Sequence, residues 1–248
     1  MITNNQGLLL CSRYSVAPNY FDYCGPDKNQ NLIDHLQENI GDKEVQSILS
    51  EFDSLFLNLT LIAIENKIKD PFEKKVVEAY WVGNSLLNNV KNSDYVSLLK
   101  EKFNLAKKIG EKKYLKLQYK FLSHRVLPHH AFHVFNIFKR TGNDTSFHTL
   151  HTMDECRIGW GKIESRIKNK ELRINTKPLI YVNNKLKLGN PIIKIIREDY
   201  RGKSFLTKHR LGDWISFHWG FACDILSDRQ TKNLEFYTQK AIDFYNQP

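Results

Sequence analysis

Apolar side chains recur every third or fourth residue through the first half of this chain and every second residue after Cys156, so two kinds of secondary structure must share the fold. Val45, Ile48, Leu49, Phe52, Leu55, Phe56, Leu59, Ile62 and Ala63 lie on one helical face, which predicts a single long helix over about 43–68. In Asp70-Pro71-Phe72-Glu73 a capping residue, a first-turn proline and a carboxylate at capping-box spacing predict a second helix, with Val76, Val77, Tyr80, Trp81, Leu87 and Val90 on its inner stripe. A third stripe, Val96, Leu99, Phe103, Ala106 and Ile109, stops at Gly110, and a fourth helix follows over 111–123. The N-terminal arm, through Pro18 and Gly25-Pro26, reads as irregular.

After Cys156 the alternating pairs Ile158/Trp160, Leu172/Ile174, Leu179/Tyr181, Leu186/Leu188 and Ile193/Ile195 are separated by turn residues, among them Asn169-Lys170, Asn183-Asn184 and Gly189-Asn190-Pro191. Helical spacing returns over about 204–226 and again from Asp228 to Asn246. The expected fold class is α+β: a mainly helical domain with an inserted small antiparallel β module, a meander or barrel, and C-terminal helices packing back. The expected boundaries are 1–153 for the helical domain, 154–202 for the basic β module and 203–248 for the C-terminal helices.

With 248 residues, 41% apolar and 12% aromatic, the chain can bury a sizeable core. Its longest apolar run, near 55–64, is interrupted by Asn58 and Thr60 and falls short of the roughly 20 residues a bilayer requires. No membrane segment is expected. The opening residues lack the basic and apolar regions of a secretory signal, so a cytoplasmic location and reduced cysteines are expected. Of the net charge of +10, the stretch from Arg157 to Arg210 carries 15 Lys and Arg against 4 Asp and Glu, leaving 22 against 23 elsewhere. A basic face for an acidic protein or nucleic acid is one reading, and an ordinary solvated surface is the other.

His129, His130 and His133 stand among apolar residues in Pro128-His129-His130-Ala131-Phe132-His133-Val134-Phe135. On a helix, His129 and His133 share a face, and His130 and His133 also lie close, so two imidazoles can chelate one ion. Hydrogen-bonded core histidines are the plainer alternative. The zinc-protease pattern is excluded, because no glutamate follows the first histidine. His148 and His151 are more distant candidates that suit a solvated loop. Cys24 sits at a bend before Gly25-Pro26, and Cys156 precedes Arg157, whose cation would favour a thiolate. His218 and Cys223 are the remaining candidates for a base and a nucleophile, although helical spacing would set them apart. No Gly-rich phosphate loop or Cys-x-x-Cys pair is present.

Taken in order, Arg13-Tyr14, Tyr23-Cys24-Gly25-Pro26, Ala79-Tyr80-Trp81-Val82-Gly83-Asn84, the histidine stretch, Cys156-Arg157-Ile158-Gly159-Trp160-Gly161 and His218-Trp219 with Cys223-Asp224 resemble an uncharacterised family of unknown function. That family is associated with the genomic neighbourhoods of nickel–iron hydrogenase maturation proteins. The resemblance covers nearly the whole chain and implies a part in metalloenzyme assembly. Gly220 departs from it, standing where an acidic residue is expected.

The reading favoured at this point is a metal-binding accessory or maturation protein in which His129, His133 and His130 hold iron, nickel or zinc, with Cys24 or Cys156 completing the site, and the partner is a metalloenzyme precursor or an acidic protein. A thiol-dependent enzyme using Cys156 or Cys223, with Arg157 and His218 in support, is the first alternative. A binding module for nucleic acid or an acidic protein through 157–210 is the second.

Overall fold

The computed structural model describes residues 5–137, 148–168, 170–206 and 208–248. Its first element, α1 (Gln6–Tyr20), replaces the expected irregular arm. Asn5 begins it, its side-chain oxygen accepting from the Gly7 and Leu8 amides at 2.8 and 3.3 Å. Twelve of its 15 residues are buried, so α1 has no solvent face and no amphipathic stripe to betray it. Around it pack α2 (Asn29–Glu38), α3 (Lys43–Ser50), α4 (Asp53–Glu65) and α5 (Lys74–Trp81).

The single helix expected over 43–68 is two helices, α3 and α4, bent by 106°. Phe52 leaves the helical backbone at the break and remains buried, its ring filling the space beside Gly25. The bend lets both apolar stripes wrap one core. Similarly, the third stripe is divided among α6 (Asn92–Ser97), a π turn (Leu98–Lys102) and α7 (Leu105–Ile109), before α8 (Glu111–Ser123) runs as expected. Two short helices, α9 (His130–Asn136) and α10 (Leu150–Cys156), lead to the strands. Among the described residues no single helix is long and apolar enough to cross a membrane.

Seven strands follow: β1 (Gly159–Ile167), β2 (Glu171–Thr176), β3 (Leu179–Val182), β4 (Lys185–Leu188), β5 (Ile192–Arg197), β6 (Trp214–His218) and β7 (Phe221–Leu226). Five close into a barrel in the order β1-β2-β5-β7-β6, antiparallel except for the β5–β7 junction at Arg197 and Phe221. β3 and β4 form a separate hairpin, tied to the last helix by Asn246, whose side chain bonds the Leu186 amide and carbonyl at 2.8 Å each. Asn169, part of an expected turn, lies outside the described residues.

Two expectations fail here. Residues 214–226 form the β6–β7 hairpin rather than a helix, so the barrel extends beyond 202 and only α11 (Asp228–Tyr245) closes the chain. The stretch is buried on both faces because β6 points Ile215 and Phe217 into the barrel while Ser216 and His218 face α1. Such a two-sided run has no strand period to read. The second failure concerns β5, where Ile193 and Ile195 face outward and Ile196 is buried, opposite to the expected register. A one-residue shift exchanges every side chain between faces.

Gly7 sets the approach of α1 to the segment before α5. A Cβ there would lie 1.7 Å from the Phe72 carbonyl oxygen and 2.9 Å from the Lys74 amide nitrogen, both backbone atoms with little freedom to retreat. Gly7→Ala is expected to destabilise the protein by about 1–3 kcal/mol or more, the range of overpacked cores. Urea unfolding checks this through a lower midpoint at an unchanged slope.

Candidate metal centre

His130, Cys156 and His218 each offer a ligand atom within 4.8 Å of the other two. They come from separate elements: His130 opens α9, Cys156 ends α10, and His218 ends β6. Each placement has a local cause. His129 is the extended residue that caps α9, so His130 points inward from its first turn. Strand alternation turns His218 out of the barrel and onto α1. The β6–β7 connection is the two-residue turn Trp219-Gly220, both at positive φ (50° and 74°), closed by the His218–Phe221 pair. A glycine therefore suits the turn at 220, the position where the family resemblance leads one to expect an acid. The tip is anchored to α10 because the Trp219 amide donates to the Glu155 carbonyl at 3.0 Å.

Hydrogen bonds fix the imidazoles. His218 Nδ1 lies 2.7 Å from the Tyr14 carbonyl, which can only accept, so the proton of the neutral ring belongs on Nδ1. The other nitrogen, Nε2, is buried and makes no hydrogen bond of normal geometry, with the Cys156 carbonyl as a backbone neighbour. An imidazole oriented through one nitrogen and left with a buried lone pair on the other is prepared for ligation. His130 Nε2 lies 2.8 Å from the Cys156 carbonyl, and its Nδ1 is 3.2 Å from the Tyr80 hydroxyl. The same argument assigns its proton to Nε2, and Tyr80 then donates to Nδ1, so a metal would be taken by Nδ1 in exchange for the Tyr80 hydrogen bond.

Aromatic rings enclose the cluster. Trp81 lies 4.5 Å from the His130 ring and 5.8 Å from that of His218, and it stacks on Tyr14 at 5.4 Å. Burial in this setting pushes His130 well below the usual imidazole range, with the neighbouring His218 acting in the same direction, and brings His218 down to about 4. Burial also holds the phenols of Tyr14 and Tyr80 firmly protonated. Neutral imidazoles beside a thiol form a borderline-soft donor set suited to zinc, iron or nickel. Three protein ligands leave one coordination position for a water, a fourth side chain or an exchanging group.

The site divides the histidines differently from the sequence expectation. His129 and His133 do not join His130 in the ligand cluster. The His129 carbonyl accepts the one-turn bond from the His133 amide at 3.2 Å, but His129 is an extended cap, so its side chain leaves the helical face and its ring stacks on Tyr237 at 5.5 Å. His133 packs 5.5 Å from Phe103, and burial brings both rings down to about 3. His148 approaches the Thr152 hydroxyl at 3.3 Å, while His151 is exposed. Cys24 is also outside the cluster, although Tyr23 packs 4.4 Å from Trp219 and brings its loop to the hairpin tip.

Of the expected catalytic set, Cys156 and His218 meet in the cluster, whereas Arg157 and Cys223 stand outside it. Arg157 is 2% exposed and ion-paired to Asp154 at 2.8 Å, with a second bond to the Lys177 carbonyl at 2.7 Å. Its charge is therefore compensated where it sits. Cys223 is fully buried beneath α1, and that burial holds its thiol well above the ordinary range, the reverse of what a nucleophile needs. No two cysteines are disulfide-bonded. In the sequence Tyr80 and Trp81 read as part of an apolar helix stripe and Tyr14 as part of the Arg13-Tyr14 segment of the family resemblance, none with a chemical role.

Four buried imidazoles with lowered pKa values predict acid sensitivity. Unfolded histidines take up protons near pH 6.5, whereas burial keeps His129 and His133 neutral down to about 3, His218 down to about 4, and His130 well below its ordinary range. The unfolded state thus binds more protons, and stability is retained above pH 6.5 and lost as pH falls. Each group adds a slope of up to about 1.4 kcal/mol per pH unit. Urea midpoints measured between pH 7.5 and 5 should fall, and replacing His133 with Phe should flatten the fall.

No curated protein and no solved structure matches this chain significantly. A sequence profile of the family of unknown function DUF6390 matches residues 3–248, and the chain belongs to that family.

Proposed function

We propose that the protein binds a transition metal ion through His130, Cys156 and His218, and that it acts as an accessory protein in assembling a metalloenzyme. The observation that carries the first part is the convergence of three ligand atoms within 4.8 Å from three different elements. The orphaned Nε2 of His218 supports it, since a buried ring nitrogen without a hydrogen bond is unfavourable unless something else takes its lone pair. Cys24 is the candidate for a fourth ligand, from the loop that Tyr23 holds against Trp219. Zinc, iron and nickel are the ions the donor set suits.

The assembly role rests on coordination chemistry and on the family resemblance. A centre with three protein ligands keeps a position through which an acceptor can engage the ion before the donor releases it. Nickel–iron hydrogenase maturation is the specific setting the resemblance implies, with an enzyme precursor as partner in the cytoplasm.

The test uses protein purified without an affinity tag. Cobalt(II) added to the metal-free chain should give the intense thiolate-to-metal band of a sulfur ligand, and zinc should displace it. Cys156→Ser should abolish that band, and His218→Gln should weaken binding by more than the roughly 10–100-fold typical of outer-shell changes. A band that survives Cys156→Ser would exclude this site. Transfer of bound nickel or iron to a metal-free hydrogenase precursor tests the accessory role. An ion retained in the presence of that acceptor would instead be resident.

The closeness of Cys156 to two imidazoles also supports a second reading, a thiol-dependent enzyme in which one of them serves as base. Iodoacetamide discriminates between the two. Rapid, pH-dependent alkylation of Cys156 that persists with stoichiometric zinc present favours the enzyme, whereas protection by zinc favours the metal centre.

A further inference from the structure

Beside His129, the segment leading into α9 and the C-terminal half of α11 border a cavity of about 470 Å³ whose lining includes none of the three metal-site residues. That is within the range of small-molecule sites. Its walls are largely aromatic, with Phe132, Tyr237 and Phe244 among them. His129 lines it at 1% exposure, with the Val82 backbone as a neighbour but no hydrogen bond of normal geometry on either ring nitrogen, and His124 adds an Nδ1 that is also buried and without such a bond. Two imidazoles with unused nitrogens on one cavity are unexplained by packing alone, because each forgoes hydrogen bonds that water would provide.

The charges on the wall indicate what would satisfy them. Arg125 is fixed by bonds from one guanidinium nitrogen to the Asn88 carbonyl at 2.6 Å and to those of Leu87 and Val90, and Lys240 stands over the Phe236 ring at 5.4 Å. Asp243, the acidic residue on the wall, already accepts from Gln239 at 2.8 Å. Two cations and two hydrogen-bonding imidazoles against one engaged carboxylate favour an anion, and the stacked His129–Tyr237 wall favours a flat one.

We propose that this cavity is a binding site for a small planar organic anion, an aromatic carboxylate in chemical class. The ring lies against Tyr237 and Phe244 while the carboxylate meets Lys240 and an imidazole N–H. The site is separate from the metal centre and does not depend on metal binding.

Calorimetric titration of the whole chain with benzoate and 2-naphthoate, and with benzyl alcohol as the neutral counterpart, tests the proposal. At least one carboxylate should bind saturably and roughly tenfold or more tightly than the alcohol, the effect of one charge-assisted hydrogen bond. Lys240→Met, at the surface, should weaken binding by a similar factor. His129→Phe, which removes both ring nitrogens, should weaken it further, with circular dichroism and the cobalt band reporting whether fold and metal centre survive. Failure of both carboxylates to bind overturns the proposal. Equal binding of acid and alcohol, or affinity unchanged in Lys240→Met, overturns its anionic part and leaves only an apolar cavity.

Discussion

Tyr14, at the middle of α1, joins the helical part of the molecule to the barrel through three different interactions. Its carbonyl accepts from His218, its hydroxyl is 3.1 Å from Ser216, and its ring stacks on Trp81 at an interplanar angle of 15°. The neighbouring Arg13 extends the seam with an ion pair to Asp224 on β7 at 2.8 Å. A helix carbonyl normally accepts from the amide four residues ahead, but here that residue is Pro18, which has no N–H, so the His218 imidazole supplies the donor that the helix cannot. Without α1 in this place, the outer face of β6 would be open to water and His218 would lose the bond that sets its tautomer.

The electrostatics follow from enclosure. Water is largely excluded from the space among α1, α5, α9 and β6, so imidazoles there remain neutral and phenols remain protonated. The same exclusion strengthens any bond between a cation and the few donors left inside. Arg157 shows how the structure handles a permanent charge at this depth: it is matched by Asp154 and lies 5.5 Å over the Trp160 ring. Elsewhere in the basic segment, Lys177, Lys194, Arg197 and Lys203 pair with Glu235, Glu155, Asp199 and Asp34. Three of these pairs, with Arg157–Asp154, set part of the local excess against carboxylates elsewhere in the chain, while Arg197–Asp199 lies within the segment.

Elements with one wet and one dry face were legible in the sequence. α8 and α11 carry apolar stripes at helical spacing, and β2 alternates Leu172 and Ile174 inward with polar residues outward. α5 carries its stripe from Val76 to Trp81, although it begins at Lys74 rather than after Asp70 and ends before Leu87 and Val90. α1 and the β6–β7 hairpin were not legible, for a shared reason. Both are covered on nearly all sides, and burial all round erases the periodicity from which helix or strand is inferred. β5 was recognised as a strand but with its faces exchanged, because Ile192, Ile193, Ile195 and Ile196 offer apolar side chains to either register. Pairing with β2, where Leu172 faces Ile196, selected between them.

The residue types that make a metal centre possible were set by the sequence alone: histidines crowded at 129–133, a cysteine where helix gives way to strand, and a histidine before a Trp-Gly turn. Their grouping was not. Proximity along the chain suggested His129, His130 and His133 as partners, but an extended cap at His129 and packing of His133 on Phe103 send the three rings to different surroundings. Barrel closure and the position of α1 bring His218 to His130 across 88 residues of sequence. Ligand choice is a matter of distances of a few ångströms, and only long-range packing fixes those.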